Sequence, residues 1–394
     1  MSRVLIKNCS VVLSGGMAAH SGVLVEATKV AAIVPPHTID GTVADEIVDA
    51  GSGYICPGYV DLHTHGIGGY SFDGGAEQFS AICRLLPRYG VTGVLATFIP
   101  KPKGADAAYV AQIARTQTEG AEVLGFHFEG PFISLPGAVP PEHLKNADAE
   151  RVQSLKNAAS SYRAIFSVSA EFDGILHLIP LMAAGQTPVF ITHTRATVEQ
   201  TLAAIDAGVT HATHFYNVFP SPPEKEPGVR PCGAVEAVLA DRRVTVDFIL
   251  DGEHVDTIAV KLGLQCKGID GVSLVTDSNI GAGVAPGTVF DFGSYKIAHH
   301  YAGGPARICS SGALYGALAG SGLTMDQAVR NAVKLLGVDL VTAVLMASTN
   351  PARIAGYGTS KGRIEPGYDA DLVLLDQDLQ VRETWVKGVS VFRA

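Results

Sequence analysis

Paired cysteines, long apolar runs and an excess of basic charge are all missing from this 394-residue sequence. The six cysteines stand far apart with no CxxC pair, which suits reduced thiols better than a disulfide framework or a zinc ribbon. No run approaches the roughly eighteen apolar residues of a membrane span, and the amino-terminal segment "MSRVLIKNCSVVLSGG" lacks a signal-peptide layout. We therefore expect a cytoplasmic protein without membrane contact.

The charge balance excludes another class of partner. The formal net charge is −9, which argues against a general surface for nucleic acid or anionic membrane. Charged residues make up only 17% of the chain and hydrophobic residues 47%, so a large buried core is expected. The length suits two domains, or one large barrel with an accessory unit.

Both ends of the chain are typical of short strands. The first contains "VLIKNCSVVL" and "SGVLVEATKVAAIV", and the last contains "DADLVLLDQDLQVRETWVKGVSVF", with turn residues between the strands. Neither end has enough strands to bury a face alone. We therefore predict one small β-sandwich domain made of residues 1–56 and 359–394.

Residues 57–358 have a different pattern, in which apolar runs alternate with helical stretches. The runs are "GYVDLHTH", "VTGVLATFI", "VLGFHFEG", "RAIFSVSAE", "PVFITHT", "THATHFYN", "VTVDFILDG" and "VSLVTDSN". Eight β/α units predict an α/β fold, a TIM (β/α)8 barrel. The alternative, a doubly wound open sheet, would need a glycine-rich phosphate loop after a strand. The segment "GIGGY" at 66–70 matches such a loop poorly.

Histidine and carboxylate residues stand at the carboxyl ends of the predicted strands. Run one ends in His63 and His65. Because alternate residues of a strand point the same way, their two imidazoles should face the same point. The ends of runs three, five, six and eight carry Glu129, His193, His214 and Asp277. A single buried histidine is more often a core residue than a ligand. Six ligand-type residues at one end of a barrel instead predict a metal centre.

The residue types narrow the choice of ion. Imidazole and carboxylate without thiolate suit Zn, Fe, Mn or Co, with Zn the default for hydrolysis. Glu129 can bridge two ions, one held by His63 and His65, the other by His193 and His214; whether one ion or two are bound stays open. Such a centre makes water a nucleophile near neutral pH. Asp277 is the expected general base, although a turn or helix-cap role is the alternative.

Several motifs resemble those of the amidohydrolase superfamily and, within it, the N-acetylglucosamine-6-phosphate deacetylases. They are "PGYVDLHTHG" (57–66), "GFHFEGPFIS" (125–134), "THTRAT" (192–197), "ATHFYNVFP" (212–220), "DGEHVD" (251–256), "LVTDS" (274–278) and "LAGSGLTMDQAVRN" (318–331). The resemblance runs nearly end to end. It implies a homodimeric, metal-dependent enzyme that hydrolyses the acetamide of N-acetylglucosamine 6-phosphate to glucosamine 6-phosphate and acetate.

The resemblance also implies roles for single residues. Glu129, His193 and His214 match the main metal ligands, and Asp277 matches the catalytic acid/base. His63 and His65 match members that hold a second ion; the fourth run has no lysine to act as a carboxylated bridge, which favours Glu129 in that position. The residues that match substrate contacts are Asn217, Val218, His254, Leu318, Ala319 and Gly320, the last three in a loop that closes over the sugar. For Asn217 and His254 a plain turn role stays open.

Two positions depart from the family pattern. Lys225 stands where the family usually has an arginine that reaches a phosphate across a dimer interface; lysine keeps the charge but loses the bidentate fork. Val139 stands where the family usually has a histidine near the scissile carbonyl, and His143 is displaced. These departures keep open an amidohydrolase acting on a different N-acyl amino sugar or related amide. A non-catalytic barrel scaffold is the alternative from a different class.

Overall fold

The computed structural model describes residues 2–139, 141, 144, 148–293 and 295–394. Its strands, numbered in chain order, are β1 Arg3–Leu13, β2 Gly16–Glu26, β3 Lys29–Val34, β4 Glu46–Asp49, β5 Tyr54–Pro57, β6 Tyr59–Thr64, β7 Gly66–Ile67, β8 Tyr70–Ser71, β9 Val91–Phe98, β10 Glu122–Glu129, β11 Arg163–Val168, β12 Val189–Ile191, β13 Val209–Ala212, β14 Thr245–Ile249, β15 Val272–Val275, β16 Val289–Phe292, β17 Tyr295–His299, β18 Pro305–Ile308, β19 Leu318–Ser321, β20 Leu372–Leu375, β21 Val381–Val386 and β22 Val389–Arg393.

The α-helices lie mainly between the strands of the middle region. They are α1 Ala76–Leu85, α2 Ala105–Ile113, α3 Ala149–Ala159, α4 Ile175–Ala183, α5 Val198–Ala207, α6 Ala234–Ala240, α7 Thr257–Lys267, α8 Met325–Asn331, α9 Leu340–Val344 and α10 Asn350–Ile354. Short 3-10 turns occupy Pro36–Gly41, Leu86–Tyr89 and Ile269–Gly271, and π-helical turns occupy Ala332–Leu336 and Leu345–Thr349.

Eight parallel strands of the described residues form the central barrel. Their hydrogen-bonded order is β6-β9-β10-β11-β12-β13-β14-β15, and a parallel bridge from Thr64 to Ser278 joins the two ends of this series. Each strand coincides with one of the eight apolar runs of the sequence, although β10 and β13 begin one residue before theirs. The predicted TIM barrel is therefore confirmed, and the doubly wound open sheet is wrong.

The barrel strands are apolar because both of their faces are covered. Every residue of β9 is buried, as is typical of parallel strands packed between a barrel interior and a layer of helices. Near the starts of the strands, Val60, Leu124 and Ile165 pack with Ala352 of α10 in one apolar cluster. This cluster fills the amino-terminal half of the barrel, which leaves the carboxyl ends for polar residues.

The two ends of the chain build a second sheet. Its order is β22-β21-β20-β5-β1-β2-β3, with β4 paired to β1. The link between the ends is the antiparallel pairing of β5 with β20. Trp385 and Ile55 lie in the apolar cluster on this sheet. The prediction that both ends form one small β domain is confirmed; the division at residues 56 and 359 stays a prediction.

A four-stranded antiparallel sheet, β16 to β19, was not expected from the sequence. It inserts after the last barrel strand, and a bridge from Ser278 to Ser321 attaches it to the carboxyl end of the barrel. Leu318, Ala319 and Gly320, which the sequence places in a loop, lie in β19. The sheet therefore covers one side of the barrel opening.

A buried lysine ties the small domain to the barrel. The Lys361 side chain is 3% exposed, and its Nζ lies 2.7 Å from a Glu122 oxygen, 3.0 Å from Asp369 and 2.7 Å from Asp371. Glu122 opens the barrel strand β10, whereas Asp371 directly precedes β20 of the end sheet. Burial lowers the pKa of Lys361, but the surrounding carboxylates raise it above its usual value. The ammonium group therefore stays charged between the domains.

We predict that Lys361→Met lowers the free energy of unfolding by about 3–5 kcal/mol, because it leaves the buried Asp371 carboxylate without its cation. The matched control is Lys29→Met. Lys29 also contacts Asp369, at 2.6 Å, but its side chain is 47% exposed. We expect the control to cost less than about 1 kcal/mol. Urea unfolding of the two variants measures the difference, and equal losses would contradict the bridging role of Lys361.

Candidate active site

The residues predicted at the strand ends meet around Glu129. Oε1 of Glu129 lies 3.1 Å from Nε2 of His193 and 3.1 Å from Nε2 of His214. The same oxygen lies 3.6 Å from Nε2 of His63, and Oε2 lies 3.2 Å from Nε2 of His65. All five side chains are buried. One carboxylate therefore stands at the centre of four imidazoles from three strand ends.

Asp277 completes the cluster from the end of β15. Its Oδ1 lies 3.3 Å from Nε2 of His63 and 3.6 Å from Nε2 of His65. The carboxylate is on the pocket wall. This position allows Asp277 either to serve as a ligand beside the two histidines or to exchange a proton with a molecule in the pocket.

The Nδ1 atoms of two site histidines lie next to backbone carbonyl groups on the side away from Glu129. Nδ1 of His193 lies 2.6 Å from the Leu135 carbonyl, and Nδ1 of His214 lies 3.3 Å from the Asn217 carbonyl. A carbonyl accepts a hydrogen bond, so each Nδ1 carries a hydrogen, and loss of the proton from Nε2 would leave a lone pair that points toward the centre. This is the tautomer that a metal ligand requires.

The backbone adopts an uncommon conformation at three of these strand ends. The φ angles of His193, His214 and Asp277 are 48°, 34° and 46°, in the left-handed region that residues other than glycine rarely enter. Such a residue costs on the order of 1–3 kcal/mol and persists when the surrounding structure fixes it. The turn at each strand end directs the side chain into the centre of the barrel opening.

Burial and charge act in opposite directions on the carboxylates. Burial raises the pKa of Glu129, but the histidines around it, first His63, hold that pKa well below its usual range. Asp277 behaves in the same way: burial is outweighed by His63, His65 and His214, and its pKa is lowered. Burial also opposes protonation of His214, yet Glu129 raises the pKa of that histidine to about 9. Two ionised carboxylates thus face the imidazole cluster.

These donors fit a divalent metal ion. Two groups of three donor atoms have all members within 4.8 Å of one another: His63, His65 and Asp277, and His63, Glu129 and His214. Nε2 of His63 is buried and makes no hydrogen bond among the described residues. Imidazole nitrogens and carboxylate oxygens without thiolate match borderline divalent ions. The cluster is therefore able to hold such an ion, and His63 is the residue that the two groups share.

A pocket of about 100 Å³ opens onto the cluster. Of the predicted substrate residues, those on its wall are Asn217, Val218, His254, Leu318, Ala319 and Gly320. Val139 also lines it, with Gly137 and Ala138. Lys225 lies instead on an exposed segment and does not line the pocket. In the part of the chain that the structure describes, no lysine or arginine reaches this wall; His143 lies outside the described residues.

Two glycines let their segments approach the cluster. A Cβ on Gly137 would lie 2.9 Å from Cε1 of His193, and a Cβ on Gly320 would lie 2.9 Å from the backbone oxygen of Asp277. Both have positive φ, at 56° and 68°. Any larger residue would push the pocket wall away from the site.

Several supporting residues were missed in the sequence. Asp251 lies 2.6 Å from Nδ1 of His254, whose Nε2 has no partner among the described residues. Asp61 accepts from the Thr276 hydroxyl at 2.6 Å, and burial raises its pKa to about 7. Asp61 could have been found as a carboxylate inside an apolar run. Asp251 could have been found as a carboxylate three residues before a histidine. Phe292, also on the pocket wall, had no such signal.

The site and the barrel together define a metal-dependent hydrolase of the TIM-barrel class. A family model described as the amidohydrolase family matches residues 54–391, and the chain belongs to that family. An N-acetylgalactosamine-6-phosphate deacetylase of Escherichia coli O157:H7 is 33% identical over 85% of this chain and 86% of its own length. An N-acetylglucosamine-6-phosphate deacetylase of Vibrio furnissii is 30% identical over 90% and 87%.

Solved structures show the same likeness. The N-acetylglucosamine-6-phosphate deacetylase of Pasteurella multocida is 26% identical, with a TM-score of 0.86 over 98% of both chains. That of Mycobacterium smegmatis is 29% identical, also with a TM-score of 0.86, over 100% of both chains. Within the described residues, none of the helices has the length and apolar character needed to cross a membrane.

We predict that Glu129→Gln lowers the bound metal to less than one ion per chain and abolishes hydrolysis, because the neutral amide removes the central negative charge. His193→Asn is a second case. Glu383→Gln is the matched control, since Glu383 is buried at 4% exposure in the end sheet, away from the site. Elemental analysis after dialysis against Zn²⁺ gives the metal content, and circular dichroism checks the fold. Full metal content with normal turnover in Glu129→Gln would refute the ligand assignment.

Proposed function

We propose that this chain is a metal-dependent deacetylase that hydrolyses the acetamide of N-acetylglucosamine 6-phosphate to glucosamine 6-phosphate and acetate. The observation that carries the proposal is the Glu129 and histidine cluster with Asp277 beside it, open to a pocket whose wall holds the predicted sugar-contacting residues. Relatives of about 30% identity that bear this name support the substrate.

The metal is proposed to be zinc, held by Glu129, His193 and His214, with His63 and His65 available for a second ion. A divalent ion in this position supplies an activated water and polarises an amide carbonyl. Zinc suits a site of imidazole and carboxylate in a hydrolase. The intact ligand set argues against the non-catalytic scaffold, which would be free to lose these residues.

Asp277 is proposed to carry the proton. Its carboxylate is ionised and stands beside His63 and His65 on the pocket wall, so it can accept a proton from the attacking water. It then returns the proton to the amide nitrogen, because an amine is a poor leaving group until it is protonated. The absence of a side chain at Gly320 lets β19 lie close to the Asp277 backbone.

His254 is proposed to bind the sugar. The Asp251 carboxylate fixes its Nδ1, and the free Nε2 faces the pocket with Asn217 and Leu318 on the same wall. Since no lysine or arginine of the described chain lines the pocket, the phosphate needs a cation from elsewhere. We propose that Lys225 of a second copy supplies it in a homodimer. The six free thiols fit a cytoplasmic enzyme.

A second candidate substrate is N-acetylgalactosamine 6-phosphate. The relative from Escherichia coli O157:H7, named for that sugar, is 33% identical to this chain. Val139, where a histidine was expected, also changes the polar groups on the pocket wall. Both candidates share the reaction and differ in the configuration of one hydroxyl group.

We predict that Asp277→Asn lowers kcat by about 10²–10⁴-fold, because the amide keeps the size of the side chain but cannot take the proton. Metal content and substrate affinity should stay near normal. Asp251→Asn, which changes the carboxylate that holds the pocket residue His254, is the control; it should raise KM more than it lowers kcat. Steady-state kinetics and metal analysis test both. Loss of the ion from Asp277→Asn would make Asp277 chiefly a ligand, and a near-normal rate would rule out the proton-carrier mechanism.

The substrate is tested by acetate release from N-acetylglucosamine, N-acetylgalactosamine and N-acetylmannosamine, each with and without a 6-phosphate. We predict the highest kcat/KM for N-acetylglucosamine 6-phosphate. Lys225→Ala should raise KM by about tenfold or more for phosphorylated sugars, the worth of one charge-assisted contact, and leave the others unchanged. Arg230→Ala, a nearby exposed cation, is the control. No acetate from any sugar would sink the proposed function; equal effects on both sugar classes would remove Lys225 from the phosphate site.

A further inference from the structure

Asp247 is a carboxylate inside the barrel for which the proposed reaction has no use. It is the middle residue of β14, in the run "VTVDFILDG", and its side chain is fully buried. An isolated charge in such a place is strongly unfavourable, so its retention depends on what it binds.

One oxygen of Asp247 is held by side chains of the neighbouring strand region. Oδ2 accepts a hydrogen bond from Nε2 of His211 at 2.8 Å and one from the Thr213 hydroxyl at 3.1 Å. Nδ1 of His211 in turn lies 2.7 Å from the Thr245 hydroxyl. These contacts fix the carboxylate plane within the barrel.

The other oxygen reaches the metal-site histidine through its backbone. Oδ1 of Asp247 accepts from the backbone N–H of His214 at 2.5 Å, and the Asp247 carbonyl accepts from the backbone N–H of Phe215 at 2.9 Å. His214 has a φ of 34°. One of these bonds is therefore made by the strained residue itself, and the other by the residue that follows it. They stabilise the one turn that directs the His214 ring toward Glu129.

Asp61, in β6, makes a similar but weaker contact with the backbone of another site histidine. It accepts from the backbone N–H of His63 at 3.3 Å, a longer contact than that of Asp247 with His214. His63 is not among the residues with positive φ, so its backbone needs less support. Of these two histidines, His214 has both the shorter contact with a carboxylate and the left-handed backbone.

We propose that Asp247 is a positioning residue that sets the metal affinity of the site by holding the His214 backbone in its left-handed conformation. The inference rests on the proposed function, because it assumes that His214 binds the ion. Outer contacts that orient a ligand typically change metal affinity by about 10–100-fold. Asp247 does not touch the pocket, so its effect should appear in metal binding before substrate binding.

The test measures the Kd for Zn²⁺ of the metal-free protein by competition with a chromophoric chelator. Asp247→Leu, which keeps the branched shape of the side chain but is larger and has no acceptor, should raise the Kd by about 10–100-fold. Asp247→Asn should restore near-normal affinity, because its amide oxygen still accepts from the His214 N–H. Thr213→Val is the control: it removes the longer of the two side-chain bonds to Oδ2, His211 still holds the carboxylate, and the variant should lower Tm without changing the Kd.

If Asp247→Leu does not fold, Asp247→Ala replaces it, since the smaller side chain leaves room for water beside His211. Zinc affinity equal to that of the unchanged protein in the Leu and Ala variants would overturn the positioning role. An equal loss in Thr213→Val would also overturn it, since the effect would then be general destabilisation. Absence of zinc binding by the unchanged protein would instead refute the proposed metal site.

Discussion

The interaction on which the rest of the structure depends is that between the buried Glu129 carboxylate and the imidazoles around it. Alone, this carboxylate at 5% exposure would be strongly destabilising. Its partners come from the ends of β6, β12 and β13, so they reach Glu129 only after the barrel has closed. A one-residue slip of any of these strands would turn its side chains to the other face. The site therefore forms only when the barrel strands pair in their native register.

The geometry of the site is fixed by contacts to the backbone of its residues. The Ser169 hydroxyl donates to the His193 carbonyl at 2.7 Å, and the Ser321 N–H donates to the Asp277 carbonyl at 2.7 Å. Each of these two site residues has a left-handed φ. Neighbouring strands thus hold the unfavourable turns, which is how a rigid scaffold keeps functional groups in place. The last of these contacts comes from β19, so the inserted sheet supports the site as well as covering it.

The sequence was sufficient for the barrel and for the members of the cluster. Long apolar runs identify buried parallel strands, and ligand-type residues at their ends must converge once the barrel closes. The sheet β16 to β19 was beyond such reasoning, because strands such as "VFDF" and "LAGS" are short and only partly buried. The left-handed turns at His193 and His214 were equally hidden: no glycine marks them, and only tertiary contacts select that conformation. Lys225 was placed in the site by resemblance alone, and its exposed position shows why a single chain could not confirm it.

Different parts of the pocket wall offer different contacts to a ligand. Val139 contributes only an apolar surface where the family usually has a histidine, so that side chain offers no hydrogen bond to a substrate carbonyl. His254, fixed by Asp251 and with its Nε2 unpartnered, is the imidazole of the described wall that stands apart from the Glu129 cluster. In the proposed function, contacts that orient the sugar would therefore concentrate on the His254 side, and the reacting amide would lie toward Asp277. This arrangement would set the direction in which an N-acetyl sugar enters the pocket.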